Sequence, residues 1–262
     1  MDYDIYLNMR NVKNRQITIL GMLNSSNKLL IKDLLTVFEV SEMTLRRDIE
    51  TLLKKGVIKK VKGGIVRNFK DSSDIPFDIR NERKSVEKIA IAKKAASLIQ
   101  EGETIVIDNG TTALAFANEI KEINNLTVVT ASLRVAWTLS DRSNIKLILL
   151  GGTVKNGELS TYSKVGLETY ENLFPDTFVM GVSAINIESG ITDFDIDDAT
   201  IKMKAIRAST RTIVIADETK IGKTAFAKIA DLNAIDIIIT NKSLPKQILT
   251  ELQLKNVSVI LA

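Results

Sequence analysis

Seven short apolar runs recur from residue 104 to the end of the sequence, and segments with helical spacing separate them. The runs occupy residues 104–108, 126–130, 145–150, 177–182, 212–216, 235–241 and 257–261. Strands that alternate with helices in this way are typical of a mostly parallel sheet covered by helices. We therefore expect an α/β domain in this part of the chain, preceded by a helix near residues 85–99.

The segments that follow these runs are rich in small and hydroxyl-bearing residues. They are N-G-T-T at 109–112, T-A-S at 130–132, G-G-T at 151–153, G-V-S at 181–183 and D-E-T-K at 217–220. In such a sheet, ligands bind beyond the carboxyl ends of the strands, where backbone N–H groups and helix N-termini attract anions. We predict a pocket for a phosphorylated, polyhydroxylated ligand there, with Lys220 as its cation. Each residue alone also fits an ordinary turn, a helix cap or a surface position.

Three apolar stripes with helical spacing precede residue 56. They comprise Ile19, Leu20 and Leu23, then Ile31, Leu34, Leu35 and Phe38, and finally Leu45, Ile49, Leu52 and Leu53. Ser41 is a good N-cap for the third helix, and Gly56 is a typical residue to end it. Because only a tight turn separates the second helix from the third, the pattern predicts a helix-turn-helix.

The third helix carries polar and basic residues on the face opposite its apolar stripe. The residues expected to meet DNA from this helix are Ser41, Thr44, Arg46, Arg47, Thr51 and Lys54. Arginine binds guanine or phosphate, and threonine contacts bases or the DNA backbone. Asp48 suits neither role, so we expect it to orient Arg46 or Arg47 from within the protein or to form a cap contact.

A strand at 57–62, a turn at Gly63 and Gly64, and a returning strand at 65–67 follow the third helix. This arrangement predicts the wing of a winged helix-turn-helix. Lys60 and Lys62, together with the two glycines, are expected to lie against the DNA backbone. The alternative for the whole segment is a helical protein-interaction module with a solvated basic face.

Basic charge is concentrated at the beginning of the chain. Residues 1–70 hold 14 Lys or Arg against 7 Asp or Glu, whereas residues 71–262 hold 22 against 25. A domain that meets a polyanion has this distribution, although a basic segment is also compatible with plain solvated surface. The charge therefore agrees with double-stranded DNA as the partner of the N-terminal segment.

The run from residue 40 to 66, V-S-E-M-T-L-R-R-D-I-E-T-L-L-K-K-G-V-I-K-K-V-K-G-G-I-V, resembles the signature of the DeoR family of bacterial repressors. Arg15 also fits that pattern. The later motifs I-D-N-G-T-T, V-V-T-A-S-L-R-V-A, L-L-G-G-T and A-D-E-T-K-I-G are similar to those of the family's sensor domain, which itself resembles sugar-phosphate isomerases of the ribose-5-phosphate isomerase type. The resemblance implies DNA recognition by the helix after Ser41 and, in most members, repression of a carbohydrate-utilisation operon.

The same resemblance implies a set of effector-binding residues. They are Asp108, Gly110, Thr111, Thr112, Thr130, Ser132, Gly152 and Lys220. Two positions depart from the family's pattern, because Ala131 stands where many members have asparagine and Asp198 stands where glutamate is frequent. The effector would be a small phosphorylated sugar.

These observations divide the chain into a winged helix-turn-helix over 1–66, a linker over 67–84 and an α/β sugar-phosphate-sensing domain over 85–262. The linker is expected there because residues 67–84 are polar, contain a proline and lack sustained periodicity. A single small recognition helix gives too little specificity for an operator, so we expect a homo-oligomer, either a dimer or a tetramer.

The composition excludes several classes of chemistry. The sequence has no cysteine and no histidine, which removes disulfides, thiol catalysis and the commonest metal ligand and general base. It contains no apolar run long enough for a membrane span and begins without a signal-peptide core, so we expect a cytoplasmic protein. We expect no cofactor, no metal and no enzymatic activity.

Two other functions remain open at this point. One is a sugar-phosphate isomerase-like enzyme with an appended DNA-binding module, in which carboxylates such as Asp108 or Asp195 would move protons together with Lys220. The other is a DNA-binding scaffold whose sensor domain is degenerate and empty. Turnover of a phosphosugar would indicate the first, and calorimetric silence with intact DNA binding would indicate the second.

Overall fold

The computed structural model of the protein describes residues 12–26, 28–68, 75–242, 244–255 and 257–262. The chain divides into two compact units, Met1–Arg83 and Lys84–Ala262. Each unit has its own hydrophobic core. None of the described helices is long and apolar enough to cross a membrane.

The first unit contains the three helices that the apolar stripes predict. They are α1 (Val12–Ser25), α2 (Ile31–Phe38) and α3 (Glu42–Lys54). Residues from all three stripes are fully buried in one cluster, including Leu20, Leu34 and Leu45. The predicted helix-turn-helix is therefore confirmed, and burial of the three stripes against one another stabilises it.

A three-stranded antiparallel sheet completes this unit. Its strands are β1 (Lys28–Leu30), β2 (Ile58–Val61) and β3 (Gly64–Arg67), in the spatial order β1-β3-β2. The β2–β3 hairpin is the predicted wing, whereas the three-residue β1 carries no periodic signal long enough to reveal it. Gly63 occupies the hairpin turn with φ +74°, which favours glycine.

Gly64 has a different reason to be glycine. A Cβ atom at this position would lie 2.1 Å from the carbonyl oxygen of Leu29, because β1 and β3 pair there. Any larger residue would push β1 away from the sheet. This glycine therefore permits the close approach of two strands.

Residues 67–84 contain more structure than the predicted linker. A helix, α4 (Phe77–Glu82), lies within this range, and Ile75 and Ile79 are buried in the core of the first unit. The prediction of a linker is therefore wrong for residues 77–82. A helix of about one and a half turns is too short to show an apolar stripe in the sequence. The segment 75–82 therefore belongs to the first unit.

The second unit is built around a seven-stranded parallel sheet. Its strands are β4 (Thr104–Ile107), β5 (Leu126–Thr130), β6 (Ile145–Leu149), β9 (Thr177–Gly181), β12 (Arg211–Ile215), β14 (Ile237–Thr240) and β15 (Ser258–Leu261). The spatial order is β15-β14-β12-β9-β4-β5-β6, and each pair of neighbours is parallel. All seven apolar runs form these strands, which confirms the predicted fold class.

Hydrophobic clusters cover both faces of this sheet. In β4, Ile105 and Ile107 contribute to one cluster and Val106 to the other, because successive side chains point to opposite faces. The helices of this unit are α5 (Ser85–Ala96), α6 (Thr111–Glu119), α7 (Leu133–Leu139), α8 (Lys164–Thr169), α9 (Ile196–Ala208) and α10 (Lys246–Leu254). Burial on both faces explains why the strands appear as continuous apolar runs rather than alternating ones.

Shorter elements surround the carboxyl ends of the central strands. A two-stranded hairpin joins β7 (Thr153–Lys155) and β8 (Ser160–Tyr162). A small antiparallel sheet contains β10 (Ala184–Asn186), β11 (Gly190–Asp193) and β13 (Ala227–Ala230). These strands of three or four residues were not predicted, and they build walls around the edge where a ligand was expected.

Candidate functional site

The recognition helix α3 begins as the sequence predicts. The Ser41 hydroxyl accepts a hydrogen bond from the backbone N–H of Thr44 at 3.2 Å, and the two hydroxyl oxygens lie 2.8 Å apart. This N-cap satisfies one of the free N–H groups of the first turn. Ser41 therefore fixes the start of the helix, and its hydroxyl is already engaged within the protein.

The basic residues of α3 are exposed but differ in their partners. Arg46 forms an ion pair with Glu42 one turn earlier, with an N–O distance of 2.6 Å. Arg47 and Lys54 are exposed and form no ion pair with any of the described residues. The Thr51 hydroxyl donates to the Arg47 backbone carbonyl at 2.9 Å. Arg47 is consequently the arginine of this helix that is most available to a DNA ligand.

Asp48 lies on the buried side of α3 and pairs with α1. Its carboxylate accepts a hydrogen bond from Arg15 Nε at 2.7 Å, and both residues are at most 3% exposed. The prediction that Asp48 orients Arg46 or Arg47 is therefore wrong. The T-L-R-R-D motif contains two surface arginines followed by a structural aspartate that attaches the recognition helix to α1.

The wing presents its lysines to solvent. Lys59, Lys60 and Lys62 are exposed on and beside the hairpin, and Gly63 is exposed in its turn. Gly64 is buried against Leu29, so its part in the wing is structural. The wing therefore offers positive charge through three side chains at a strand hairpin, the arrangement that neutralises phosphates beside a groove.

At the sensor domain, the loop after β4 leads directly into α6. Gly110 is the N-cap residue with φ +99°, and no side chain of the described residues caps the first turn of this helix. The helices α7 and α9 differ, because Ser132 and Asp195 cap their first turns. The backbone N–H groups at the start of α6, together with Thr111 and Thr112, thus form an uncapped helix N-terminus of the kind that binds phosphate.

A buried cluster of charges lies beside this loop. Lys202 on α9 places its Nζ atom 2.5 Å from Asp193 Oδ2 and 3.3 Å from Asp108 Oδ2. Asp193 Oδ1 accepts a hydrogen bond from the Ser183 hydroxyl at 2.8 Å, and Asp108 Oδ2 accepts one from Gly181 N–H at 3.0 Å. The cluster therefore ties together the carboxyl ends of β4, β9 and β11 through one lysine of α9.

The surroundings shift the acidity of these groups in different directions. Burial raises the pKa of Asp108 to about 7, against the opposing effect of Lys202. Burial also opposes ionisation of Asp193, but the Lys202 ammonium and the hydrogen bonds outweigh it and lower the pKa of that carboxyl. Although burial disfavours its charge, the three carboxylates around Lys202 raise its pKa. Lys202 and Asp193 thus form the ionised pair, and Asp108 can change its charge near neutral pH.

A second lysine extends the cluster toward the β7–β8 hairpin. Lys155 on β7 lies 2.5 Å from Asp195 and 3.3 Å from Asp198 at the start of α9. Burial raises the pKa of the Asp198 carboxyl, although both lysines counteract this effect. Four carboxylates therefore share two lysines.

A cleft opens between this cluster and the loop after β4. It is lined by Val106, Ile107, Asp108, Asn109, Ala131, Tyr170, Phe178, Asp198 and Ile201. Tyr170 also lines an adjoining cleft that includes Gly151, Ser163 and Gly166. Asp108 is the member of the expected effector set that lines the cleft, and Gly110, Thr111 and Thr112 follow after Asn109, which also lines it.

Three other residues of the expected effector set have structural contacts. The fully buried Thr130 hydroxyl donates to the Ile107 carbonyl at 2.7 Å and accepts from Ser132 N–H at 3.0 Å. Ser132 caps α7 by accepting from Val135 N–H at 3.3 Å. A Cβ atom on Gly152 would lie 2.4 Å from the Tyr162 carbonyl oxygen. These residues shape the edge of the sheet, and their ligand contacts stay a prediction.

The sequence predicted Lys220 as the cation for the ligand's anion, and the lysine that the structure places beside Asp108 is a different one. Lys220 lies in a 3-10 turn after β12 and is outside the lining of the cleft. The cation beside Asp108 is Lys202, which sequence reasoning missed. Its signal was present, because Lys202 shares the buried stripe of α9 with Ala199 and Ala205. A lysine on an apolar stripe rarely stays buried unless a charge partner meets it.

Comparison with known proteins identifies both units. Residues 15–70 match the DeoR-like helix-turn-helix domain, and residues 83–242 match the DeoR C-terminal sensor domain. The chain is 34% identical over 239 residues to the HTH-type transcriptional regulator GolR of Listeria innocua, covering 91% of this chain and 94% of that protein. It is 28% identical over 236 residues to the glycerol-3-phosphate regulon repressor of Escherichia coli, covering 89% and 93%.

Among solved structures, ribose 5-phosphate isomerase A from Methanocaldococcus jannaschii superposes with a TM-score of 0.40 at 17% identity, over 53% of this chain and 55% of that chain. No functional conclusion follows from a likeness of this size. The two domain matches and the full-length relatives are decisive, and they agree with the exposed recognition helix and the α/β sensor described above. This chain belongs to the DeoR family of DNA-binding transcriptional regulators.

Proposed function

We propose that this protein represses a carbohydrate-utilisation operon and that a phosphorylated sugar, bound at the carboxyl edge of the sensor sheet, controls its affinity for operator DNA. The observation that carries the proposal is the uncapped N-terminus of α6 at Gly110, in the loop that continues from the cleft residues Asp108 and Asn109. One relative is named for glycerol 3-phosphate, which agrees with a phosphorylated effector.

On the DNA side, we assign direct contacts to the exposed residues of α3 and the wing. Arg47 and Lys54 face solvent without ion pairs to described residues, and Lys60 and Lys62 flank the hairpin turn. Arg47 would contact a base edge or phosphate in the major groove, and the wing lysines would neutralise phosphates. Arg46 would first have to leave Glu42, so we expect its contribution to be smaller.

On the effector side, the phosphate would bind the N–H groups at the start of α6 and the hydroxyls of Thr111 and Thr112. Lys220 would add positive charge from the 3-10 turn after β12. The carbon chain of the sugar would extend toward Asp108 and the cleft. In this scheme Lys202 holds Asp108 and Asp193 in place and makes no contact with the phosphate.

Control of DNA binding requires that the effector bind one arrangement of the protein more tightly than another. We propose that the protein acts as a homo-oligomer, at least a dimer, because a single recognition helix gives too low a specificity ratio for an operator. The effector would change how well two recognition helices match two half-sites.

The test is an anisotropy titration of the full chain on labelled duplex from upstream of its own coding region, with a scrambled duplex as the control. Tight, specific binding that changes when sugar phosphates are added supports the proposal. The Arg47→Ala variant should lose the specific part of the binding. Equal affinity for both duplexes at moderate salt would refute the DNA-binding part.

A second candidate function is a sugar-phosphate isomerase-like enzyme with an appended DNA-binding module. The observation that favours it is the pKa of about 7 for Asp108 in the cleft, since a carboxylate with such a pKa suits proton transfer. Turnover of ribose 5-phosphate by the full chain, lost in Asp108→Asn, would support the enzyme. Binding without turnover leaves the regulator proposal in place.

A further inference from the structure

The cleft beside Asp108 has a mixed polar and apolar lining, and the described residues that line it include no basic residue. Its polar lining residues are Asp108, Asn109, Tyr170 and Asp198, and its remaining lining residues are apolar. The two nearby lysines are already paired, Lys202 with Asp108 and Asp193 and Lys155 with Asp195 and Asp198. A second anionic group in the cleft would therefore meet carboxylate oxygens, and none of the described lysines or arginines lines the cleft.

Tyr170 places a polar group that faces this cleft. The residue is only 4% exposed, and its hydroxyl has no hydrogen-bond partner among the described residues. The hydroxyl oxygen is not one of the buried side-chain atoms that lack a partner, so it reaches the space of the cleft and can donate to and accept from a molecule there. Since Tyr170 lines both adjoining clefts, a ligand in either one would lie within its reach.

The hydrogen-bonding groups of the lining define which ligand groups the cleft can bind. Ionised Asp198 is an acceptor only, and its contact with Lys155 at 3.3 Å leaves it further acceptor capacity. Asn109 and Tyr170 each offer both a donor and an acceptor. Sugar hydroxyls donate and accept, so they match this set. A carboxylate only accepts, and it would add negative charge beside four carboxyl groups that share two lysines.

We propose that this cleft selects the hydroxyl-bearing end of a sugar or polyol phosphate and rejects the corresponding phosphorylated sugar acid. The inference rests on the proposed function, because it assumes that the phosphate of the same ligand binds at the start of α6. Asp198 and Tyr170 are the residues to which we assign the selection.

The test is isothermal titration of the full chain with matched pairs of compounds. Each pair contains a sugar or polyol phosphate and its acid counterpart: glycerol 3-phosphate with 3-phosphoglycerate, ribose 5-phosphate with 5-phosphoribonate, and glucose 6-phosphate with 6-phosphogluconate. In the pair whose carbon chain has the length that the site accepts, we expect the sugar or polyol phosphate, the neutral-ended member, to bind at least about tenfold more tightly than the acid.

Two conservative variants locate the selection. Tyr170→Phe should weaken binding of the neutral-ended member by about fivefold to tenfold, because it removes one hydrogen bond. Asp198→Asn should reduce the difference in affinity between the two members of a pair, because the phosphorylated sugar acid should bind more tightly to this variant. Asp197→Asn is the matched control, since it makes the same change one residue away and Asp197 is outside the lining of the cleft. Thermal unfolding of each variant verifies that it is folded.

The outcomes separate this inference from the proposed function. If no phosphorylated compound binds, the effector proposal fails and this inference fails with it. If both members of a pair bind equally, or the acid binds more tightly, the selection is refuted and the sugar-phosphate effector stands. Unchanged selectivity in Asp198→Asn and Tyr170→Phe would also refute the assignment to this cleft.

Discussion

The DNA-binding unit and the sensor unit use charge in opposite ways. In the first, the arginines and lysines expected to bind DNA are exposed, and the buried pair of Arg15 and Asp48 is purely structural. In the second, the buried cluster of Lys202, Asp108 and Asp193 lies beside the candidate ligand cleft. DNA is a large polyanion and can bind to an exposed surface, whereas a small effector binds in a concave site that encloses it.

This difference explains why the DNA-binding face could be predicted from the sequence and the buried charge cluster could not. An exposed binding face follows from helical periodicity, because the residues opposite an apolar stripe must point outward. A buried site is assembled from residues far apart in the chain, and periodicity places none of them next to another. The predictions below test the contrast, beginning with the largest expected effect.

Removal of the central lysine of the sensor should have the largest effect. Lys202→Met leaves two buried carboxylates without their partner, and such losses cost about 3–5 kcal/mol of unfolding free energy. Urea denaturation would measure it. Lys204→Met is the matched control on the same helix, because Lys204 pairs with Glu171 where the two side chains are 34% and 56% exposed. Exposed pairs contribute about 0–1 kcal/mol. Similar losses in both variants would contradict the assigned role of Lys202.

The Arg15–Asp48 pair should behave similarly in the first unit. Arg15→Met or Asp48→Leu alone removes one partner of a buried ion pair and should cost about 3–5 kcal/mol. The double variant removes both charges and should recover most of that loss. Urea denaturation of all three variants gives the coupling free energy between Arg15 and Asp48. Additive losses in the double variant would show that the pair does not stabilise the contact between α1 and α3.

Arg47→Ala should weaken specific operator binding without affecting the fold. The loss of one base or phosphate contact corresponds to about 1–3 kcal/mol, or roughly 5–150-fold in affinity. Anisotropy titration measures the loss. Arg207→Ala changes an equally exposed arginine of the sensor helix α9 and should leave operator affinity intact. If both variants bind the operator like the parent chain, α3 is not the recognition helix.

A more gradual effect should be a pH dependence of the unfolding free energy that arises from Asp108. Because burial raises the folded-state pKa of Asp108 to about 7, its contribution to stability is present at low pH and lost as the pH rises through 7. Asp108→Asn should remove this slope, which is at most about 1.4 kcal/mol per pH unit. Urea midpoints of both proteins between about pH 4 and pH 8 provide the comparison. Parallel curves would indicate that Asp108 does not titrate in this range.

Much of the fold could be predicted from local patterns. The seven apolar runs form the seven strands of the parallel sheet, and the three stripes form α1, α2 and α3. Elements shorter than about two periods were not predicted. These are β1, α4 and the strands of the two small sheets. Their residues become ordered through contacts with distant segments, as Ile75 and Ile79 do in the first core. Short segments carry too few residues for a periodic signal.

What the sequence determined by itself is the outward face of α3, the order of strands and helices, and the loop at Gly110. These features depend on residues that are neighbours in the chain or along one helix. Only the tertiary structure decided that Asp48 pairs with Arg15 and that Lys202 meets Asp108 across two elements. A charge can be buried only where the fold supplies its partner, and that partner is fixed by packing rather than by spacing along the chain.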